Sequence, residues 1–318
     1  PDLIFLINDP WVASSYVPLI EKAGYKGAVV LYTPIDGTNV MSAYITPINA
    51  FTHVVAYTQF GVDQLVAGGL EVPTSIIPHG VNTKLWKPTS KYEARDKQGF
   101  GQDWFIVNVT ARNQIRKRLD LAFYYFSEWA KDKPDTVRLH YHGAMEDSGW
   151  NLFQLADAFN IKDRLIISAP NITAQNGIPL ELMPYFYAPA DVGFTTTMGE
   201  GWDMPAHERM AMKIAMIVPR HSALAEWPNG GVHYIDISPI PYFNIGSLNT
   251  RGGIPDMESS IAALEKMYVD EEYRNTIAEK GYALATQPKY NWRNIAMQFN
   301  SVFIKAINDN AGKQHVSE

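Results

Sequence analysis

Short runs of apolar residues alternate along this chain with longer stretches whose apolar positions recur at helical spacing. The runs predict strands, and helices are predicted near 13–23, near 59–68 and throughout the chain after about 256. Strands that are apolar on both faces and separated by helices predict parallel sheets covered on both faces, which is the doubly wound α/β class. The predicted strands are 3–7, 28–32, 54–57 and 75–78 in a first series, and 105–109, 137–141, 165–168, 192–195, 215–218 and 233–235 in a second.

A polar segment separates the two series and marks a predicted domain boundary. Residues 91–103 are rich in charged residues and contain glycine, so this segment is predicted to be a linker or an irregular surface loop. We place the boundary near residue 84. The first lobe then has about four strands where a full doubly wound sheet has about six. Because the chain also starts inside a strand-like run without an initiator Met, we expect this lobe to be incomplete at its N-terminal end.

Three parts of the chain follow from this boundary. The sequence predicts a partial Rossmann-like lobe over 1–84, a second Rossmann-like domain over 85–290, and a closing helix with a polar tail over 291–318. Residues 308–318 are polar and terminal, so they are predicted to be frayed.

The composition is that of an ordinary globular protein, because 46% of the 318 residues are hydrophobic and 19% are charged. The formal net charge of −6 argues against general binding of nucleic acid or of an anionic membrane. The sequence contains no cysteine, which excludes disulfides, thiol nucleophiles and thiolate metal sites. No apolar run is long enough for a transmembrane helix. The cytoplasm is therefore the default compartment, with peripheral attachment to a membrane left open.

A basic segment follows the first strand of the second series. Arginine and lysine occupy four positions within 112–118 of an otherwise acidic protein. At a turn from strand to helix, the guanidinium of Arg112 and the ammonium of Lys117 would suit a diphosphate, which needs charge neutralisation when it leaves as an anion. Arg116 and Arg118 are expected to be exposed. The alternative interpretation of the segment is an ordinary solvated helix start.

Glu200 lies in a turn after a later strand of the second series, between Gly199 and Gly201. Glycine on both sides frees the backbone to adopt turn conformations and to approach a ligand closely. The turn is predicted to lie at the carboxyl end of a parallel strand, where open α/β sheets bind their ligands. Glu200 is therefore a candidate for contact with a substrate.

A helix that carries a second glutamate follows this turn. Asp203 is placed to cap the helix, with Pro205 in its first turn, so that unpaired N–H groups and the positive helix end would face the crevice. Glu208 lies about one turn inside the helix. Glutamates at these positions could accept hydrogen bonds from sugar or ribose hydroxyls. The alternative interpretation is a pair of ordinary acids that favour the helix dipole.

Sequence patterns of other site types are weak or missing. His140 and His142 share one face of a predicted strand, but no third ligand is near in sequence, so a metal site is disfavoured. The sequence contains neither a phosphate-loop motif nor G-x-G-x-x-G, which disfavours nucleotide hydrolysis and dinucleotide redox chemistry.

Taken together, these motifs resemble a known family. The second lobe resembles the donor-binding domain of retaining GT-B glycosyltransferases of the family 4 type, also called glycosyl transferases group 1, whose signature is E-G-F-G-L-P-x-x-E-A-M-A. Here the signature reads E-G-W-D-M-P-A-H-E-R-M-A over 200–211. The family's R-x₄-K motif matches Arg112 and Lys117, and its I-P-H-G-V-D motif matches I-P-H-G-V-N over 77–82. The matches occur in the family's order over most of residues 75–300.

The resemblance implies a GT-B fold, a nucleotide-sugar donor bound by the second lobe, and no metal or other cofactor. Arg112 and Lys117 would hold the donor diphosphate. Glu200 would contact the transferred sugar, Glu208 would contact the ribose, and the backbone of Gly201, Trp202 and Asp203 would contact sugar and phosphates. Asp203 replaces a family glycine and Asn82 replaces an aspartate, so the backbone geometry at Asp203 is the weakest part of the match. The family usually receives the nucleobase near 168–173.

The first lobe would bind the acceptor, which is a glycan, a lipid or a small molecule. Some family members carry an aspartate after the strand that faces the donor, and Asp36 matches it. Asp36 is therefore a candidate for contact with the reacting sugar or acceptor hydroxyl, and the segment Asn8-Asp9-Pro10, at an earlier strand end, is a second candidate for the cleft wall. Either residue could instead be an ordinary turn residue, because Asp-Gly and Asp-Pro are turn formers.

Three functions remain open from the sequence. The leading hypothesis is a retaining glycosyltransferase that moves a sugar from a nucleoside-diphosphate donor to an acceptor hydroxyl without a separate enzyme nucleophile. The second is a glycoside hydrolase that uses Glu200 and Glu208, whose carboxyl groups would have to lie about 5–9.5 Å apart. The third is a sugar-nucleotide binding protein without transfer activity.

Overall fold

A computed structural model describes residues 1–168, 171–173, 176–240, 242–243 and 250–316. The strands are β1 (Leu3–Ile7), β2 (Ala28–Thr33), β3 (His53–Ala56), β4 (Thr74–Ile76), β5 (Phe105–Thr110), β6 (Val137–His142), β7 (Leu165–Ile167), β8 (Val192–Phe194), β9 (Ala215–Pro219), β10 (His233–Ile235), β11 (Tyr242–Phe243) and β12 (Arg251–Gly252). The helices are α1 (Pro10–Lys22), α2 (Ser42–Ile48), α3 (Gln59–Ala67), α4 (Lys91–Gln98), α5 (Leu119–Ala130), α6 (Leu152–Ala158), α7 (Met183–Tyr187), α8 (Met204–Ala211), α9 (Met257–Val269), α10 (Glu271–Ala285) and α11 (Trp292–Val316).

The first lobe is a parallel sheet of four strands in the order β1-β2-β3-β4. Its two central strands are buried along their whole length, which explains why nearly all of their residues are apolar. Helices α1, α2 and α3 cover one face of the sheet. The other face packs against α11, which returns from the far end of the chain. The sheet is thus covered on both faces, as the strand pattern predicted.

The second lobe is a parallel sheet of six strands in the order β10-β9-β8-β5-β6-β7. Helices α5, α6 and α9 pack on one face, and α8 packs on the other. The strand order reverses between β5 and β8, because β5 continues to β6 on one side while β8 continues to β9 on the other. This is the topological switch point, where open α/β sheets form a crevice at the carboxyl ends of their strands. The doubly wound α/β prediction is confirmed for this lobe.

The segment predicted to be a linker over 91–103 contains a helix instead, so that prediction is wrong. The side chain of Ser90 caps α4 by accepting from the backbone N–H of Glu93, and Gly99 ends the helix with φ of 68°. Arg95 on α4 is buried, and its guanidinium binds the Asp191 carboxylate at 2.6 Å. These caps and this ion pair stabilise a helix whose many charged residues resemble those of a loop.

Helix α11 joins the C-terminal end of the chain to the first lobe. The ring of Phe299 lies 5.2 Å from that of Phe5 on β1 and 4.8 Å from that of Tyr32 on β2. The helix continues to Val316, so the prediction of a frayed tail from residue 308 is wrong for residues 308–316. Near its end, the Asn310 side chain donates to the carbonyl oxygen of Lys26 at 2.8 Å, which anchors this part of the helix to the first lobe.

No helix in the part of the chain that the structure describes is long and apolar enough to cross a membrane.

We expect Phe299→Ala to lower the free energy of unfolding by about 3 kcal/mol, because it removes a buried ring between α11 and the first sheet. Urea unfolding followed by circular dichroism measures the change. Met297→Ala is the matched control, since Met297 lies on the same helix but is 56% exposed, and its effect should stay within about 0.5 kcal/mol. Equal effects of the two substitutions would contradict the packing described for α11.

Candidate functional site

The candidate site lies at the switch point of the second sheet. Strand β5 leads into a loop with a 3₁₀ turn at Ile115–Lys117, and β8 leads into the loop that carries Glu200. Because β5 and β8 are neighbouring parallel strands, the two loops meet at the same sheet edge. The backbone N–H of Met198 donates to the carbonyl oxygen of Arg116 at 2.9 Å, which fixes one loop against the other.

Four charged side chains form an ion cluster at this edge. The Lys117 ammonium contacts Oε1 of Glu200, and Nη1 of Arg116 lies 3.1 Å from Oε2 of the same carboxylate. Nε of Arg116 lies 3.2 Å from Oδ2 of Asp36, which belongs to the first lobe. The guanidinium also donates to the carbonyl oxygen of Gly199 at 2.6 Å. Arg116 therefore links the two lobes through charged contacts on both sides.

The ion cluster sets the protonation of its two buried acids. Burial alone would raise the pKa of Glu200, but Lys117 and Arg116 outweigh it and lower that pKa to about 2. Burial raises the pKa of Asp36, and the negative charge of Glu200 adds to the effect while Arg116 opposes it. Glu200 is thus a permanent carboxylate near neutral pH, able to accept hydrogen bonds and unable to donate a proton.

The arrangement of the basic segment differs from the expectation. The Arg116 side chain is only 26% exposed and the Arg118 side chain only 14%, so the prediction that both are exposed is wrong. The physical reason is the 3₁₀ turn followed by Arg118 with φ of 49°, which reverses the chain and turns Arg116 into the cleft. Arg112 is the exposed member of the segment at 62%, and it pairs with Asp147 at 2.9 Å.

The glycines around Glu200 permit close contact between the lobes. A Cβ atom at Gly199 would overlap the carbonyl oxygen of Asp36, and one at Gly201 would overlap the side chain of Pro34. Neither glycine has a positive φ, so their role is to make room for the opposite loop rather than to adopt a left-handed turn. The loop after β2 and the loop after β8 are therefore in direct backbone contact.

Asp203, the weakest match in the sequence comparison, adopts the backbone conformation that favours glycine. It has φ of 70° and ψ of 76°, in the left-handed region. Its carboxylate caps α8 by accepting from the backbone N–H of Ala206 at 3.2 Å, with Pro205 in the first turn, so the predicted cap is confirmed. Burial, together with the charge of Glu200, raises the pKa of Asp203 to about 6. Asp203 thus forms a left-handed turn and also caps α8.

Glu208 is buried on α8 and has partners of its own. Its Oε2 accepts from the Tyr187 hydroxyl at 2.9 Å, and burial raises its pKa to about 7. The guanidinium of Arg209 lies 4.4 Å from the centre of the Tyr187 ring and donates through Nε to Oδ1 of Asn108 at 2.9 Å. The structure therefore places Glu208 in a polar network with Tyr187, separate from the partners of Glu200.

The side chain of Trp202 belongs to the core of the second lobe. Its ring stacks on that of Trp227 with centres 4.5 Å apart, and its Nε1 donates to Nδ1 of His207 at 3.1 Å. The contact predicted here between the donor and the protein involves the backbone of residues 201–203 and not the indole ring, and it remains a prediction.

A cavity of about 470 Å³ lies between the two lobes, next to the ion cluster. Asp9 and Asp36 line it from the first lobe, and Arg112 and Arg116 line it from the second. Burial raises the pKa of Asp9 to about 6, and Asp36 contributes to the increase. The two aspartates that the sequence offered as candidates for the cleft wall therefore face the same space.

The histidines of β6 are structural in the described part of the chain. His140 and His142 are buried, and burial lowers the pKa of both. Nδ1 of His142 lies 2.9 Å from Oγ of Ser168. Among the described residues, no group of three or more histidines, cysteines or carboxylates could hold a metal ion. Of the segment expected to receive a nucleobase, residues 169–170 lie outside the described residues.

Comparison with known proteins identifies the fold. Sucrose-phosphate synthase from Thermosynechococcus elongatus is 17% identical, with a TM-score of 0.75 over 96% of this chain and 73% of its own. Anabaena HepE in complex with UDP and glucose is 15% identical, with a TM-score of 0.73 over 96% and 78%. The α,α-trehalose 6-phosphate synthase from Burkholderia multivorans is 13% identical, with a TM-score of 0.70 over 98% and 72%. No protein-family model and no curated protein matches the chain.

This chain and these structures share two Rossmann-like lobes, each built on a parallel sheet, with a cleft between them. This arrangement is the GT-B fold. The fold class predicted from the sequence is confirmed. The family 4 type within that fold remains a prediction.

We expect Gly199→Ala to disrupt the contact between the lobes, because the added methyl group overlaps the Asp36 carbonyl oxygen. Overpacking of this kind costs about 1–3 kcal/mol. The change should appear as a lower free energy of unfolding or as a larger radius of gyration in small-angle X-ray scattering. Gly312→Ala is the control, since nothing lies within 4 Å of a Cβ there. If Gly199→Ala left both quantities unchanged, the loops would not touch as described.

The raised pKa of Glu208 predicts a pH-dependent stability. The pKa of Glu208 is about 7 in the folded protein, against an ordinary value of 4.5, so the folded state binds the proton of this carboxyl group more tightly than the unfolded state does. Proton binding by Glu208 therefore stabilises the fold at low pH, and this stabilisation is lost as the pH rises towards 7. Glu208→Gln cannot titrate. We expect its stability relative to the natural protein to increase between pH 5 and 7, by up to about 3 kcal/mol. Urea unfolding at each pH measures the difference, and a difference independent of pH would show that Glu208 is not buried as described.

Proposed function

We propose that the protein is a retaining glycosyltransferase that moves a sugar from a nucleoside-diphosphate donor to an acceptor hydroxyl without a metal ion. The observation that carries the proposal is the pair of cations, Arg116 and Lys117, around the buried Glu200 carboxylate at the switch point of the second sheet. Both cations and the cleft lie at the carboxyl ends of the strands, where a nucleotide would bind.

The cations suit the leaving group of such a reaction. Breaking the bond between sugar and diphosphate leaves a phosphate anion, and fixed positive charges near it stabilise the transition state. Lys117 is held at the site by Glu200, and Arg112 lies at the cavity rim with 62% of its side chain exposed. In the proposed complex both residues bind the diphosphate, and Arg116 adds a third cation that the sequence motif did not indicate.

The carboxylates suit recognition of the sugars. Glu200 remains ionised because of its two cationic partners, so it can accept hydrogen bonds from hydroxyls of the transferred sugar. Glu208 on α8 and Tyr187 at the end of α7 form a second polar group, which we assign to the ribose. The reaction proposed here is same-face transfer, in which the acceptor hydroxyl attacks directly and Asp36 lies next to it.

Structural neighbours support the donor class. HepE has been solved in complex with UDP-glucose, and trehalose-6-phosphate synthase from E. coli has been solved with UDP-2-fluoro glucose bound. Both share the fold of this chain, which makes a nucleoside-diphosphate sugar the ligand class to test first.

The hydrolase alternative fits the geometry poorly. A retaining or inverting hydrolase needs one carboxyl group that donates a proton to the leaving oxygen. Glu200 has a pKa of about 2 and cannot serve as that acid near neutral pH. Glu208 has a pKa of about 7, but its carboxylate is buried and accepts from Tyr187, whereas Glu200 pairs with Arg116 and Lys117.

We expect Lys117→Ala to weaken binding of a nucleoside diphosphate by roughly tenfold to a hundredfold, because it removes a charged partner of the diphosphate. Calorimetry with UDP, GDP and ADP measures the affinity and shows which base is preferred. The rate at which Lys117→Ala transfers a radiolabelled sugar should fall by at least the same factor as its nucleotide affinity. Lys131→Ala is the matched control, because Lys131 is an exposed residue at the end of α5 that forms an ion pair with the nearby Glu128.

The outcomes separate the candidate functions. Binding without transfer to any acceptor would favour the sugar-nucleotide binding protein. Failure of all three nucleotides to bind the natural protein would contradict the proposed function. Loss of nucleotide binding in Lys131→Ala as well would show that the loss in Lys117→Ala reflects instability rather than a missing contact.

A further inference from the structure

The loop that follows β6 packs beside the basic segment that follows β5. The two strands are parallel neighbours, so the loops at their carboxyl ends lie at the same edge of the sheet. The hydroxyl of Tyr141, near the end of β6, lies 3.0 Å from the carbonyl oxygens of both Ala111 and Ala144. This hydroxyl joins the start of one loop to the start of the other.

The side chain of Asn113, in the basic segment, fixes the loop after β6 in place. Its Oδ1 accepts from the backbone N–H of Trp150 at 2.9 Å. Its Nδ2 donates to the carbonyl oxygens of Met145 at 2.8 Å and Trp150 at 2.6 Å. Asn113 is buried, and a Cβ atom at Gly149 would overlap its Oδ1. Residues 145–150 are therefore held against the basic segment by hydrogen bonds to a buried side chain.

Asp147 lies in the middle of this fixed loop and pairs with Arg112. Its Oδ2 accepts from Nε of Arg112 at 2.9 Å, and its Oδ1 accepts from the backbone N–H of Ser148 at 2.8 Å. The Asp147 side chain is only 11% exposed, whereas that of Arg112 is 62% exposed. A fixed carboxylate thus holds a long and otherwise exposed cation.

The contact with Asp147 uses only one of the three guanidinium nitrogens. Among the residues that the structure describes, the two terminal nitrogens of Arg112 make no hydrogen bond, and Arg112 lines the cavity between the lobes. A guanidinium binds a phosphate most specifically through two parallel N–H groups. Because Asp147 engages Nε, the edge formed by Nη1 and Nη2 is left available for an anion.

We propose that Asp147 is a positioning residue of the donor site, which holds the guanidinium of Arg112 so that its two terminal nitrogens bind the diphosphate. An exposed arginine without this contact would have to be immobilised by the ligand, and that costs binding free energy. The inference rests on the proposed glycosyl transfer and adds a residue that the sequence motif does not contain.

The negative charge of Asp147 acts against its positioning effect, because a carboxylate repels a nearby diphosphate. Removal of the side chain would therefore weaken binding through lost orientation and strengthen it through lost repulsion. Solvent around the exposed Arg112 screens the repulsion, so we expect orientation to dominate. Asparagine at position 147 separates the two effects, because it keeps the acceptor oxygen and removes the charge.

The experiment is a double-mutant cycle on the full chain. Calorimetry measures the affinity for whichever of UDP, GDP and ADP binds the natural protein most tightly. The variants are Asp147→Ala, Asp147→Asn, Arg112→Ala and the double variant with alanine at both positions. Asp157→Ala is the matched control, because Asp157 is an exposed residue on α6 that pairs with Lys162 at 2.7 Å. Thermal unfolding followed by circular dichroism checks that each variant folds.

We expect Asp147→Ala to weaken binding of the diphosphate about threefold to tenfold. Asp147→Asn should stay within about twofold of the natural protein, because its side-chain oxygen still accepts from Arg112. In the Arg112→Ala background, Asp147→Ala should have no further effect, since Asp147 acts only through Arg112. Asp157→Ala should bind as the natural protein does.

Three results would overturn the positioning role while leaving the proposed function intact, and in each of them the diphosphate still binds the natural protein. The first is that Asp147→Ala binds as tightly as the natural protein or more tightly. The second is that Asp147→Ala weakens binding equally with and without Arg112, which would be a structural effect. The third is that Asp147→Asn weakens binding as much as Asp147→Ala. Failure of all three nucleotides to bind the natural protein would instead overturn the proposed function, and the positioning role with it.

Discussion

The guanidinium of Arg116, placed between Asp36 of one lobe and Glu200 of the other, is the interaction on which the arrangement of the site depends. A half-buried cation needs anionic partners, and here the two partners come from different sheets. The contact brings the loop after β2 against the loop after β8, where glycine at position 199 leaves just enough room. Charge pairing and backbone contact therefore reinforce each other at one place.

This cluster also determines what a ligand must do in order to bind. Lys117 and Arg116 already have a carboxylate partner in Glu200, so in the proposed complex a diphosphate would compete with that carboxylate for the same cations. Glu200 would then lose part of its charge pairing, which hydroxyl groups of the proposed sugar could replace with hydrogen bonds. Diphosphate and sugar would thus stabilise each other's binding, which suits a site that must hold both parts of one donor.

The sequence predicted the parts of the fold that depend on local pattern. Buried strands such as β2 and β3 are recognisable because nearly every residue is apolar, and the cap at Asp203 is recognisable from its position before Pro205. Helix α4 was missed because its charged composition concealed the caps that stabilise it. The orientation of Arg116 was missed for another reason. Spacing selects Arg112 and Lys117, but the left-handed backbone at Arg118 decides which side chain enters the cleft, and that conformation has no signature in the sequence.

The return of α11 to the first lobe means that the chain crosses between the lobes twice. The two crossings lie together, since the backbone N–H of Val81 on the first donates to the carbonyl oxygen of Tyr290 on the second at 3.0 Å, and Gly80 packs against Trp292. The two adjacent crossings therefore join the lobes at one place. Arg116 and Glu200 both belong to the second lobe and Asp36 belongs to the first, so separating the two loops would break the ion pair between Arg116 and Asp36 and would leave the pair between Arg116 and Glu200 in place.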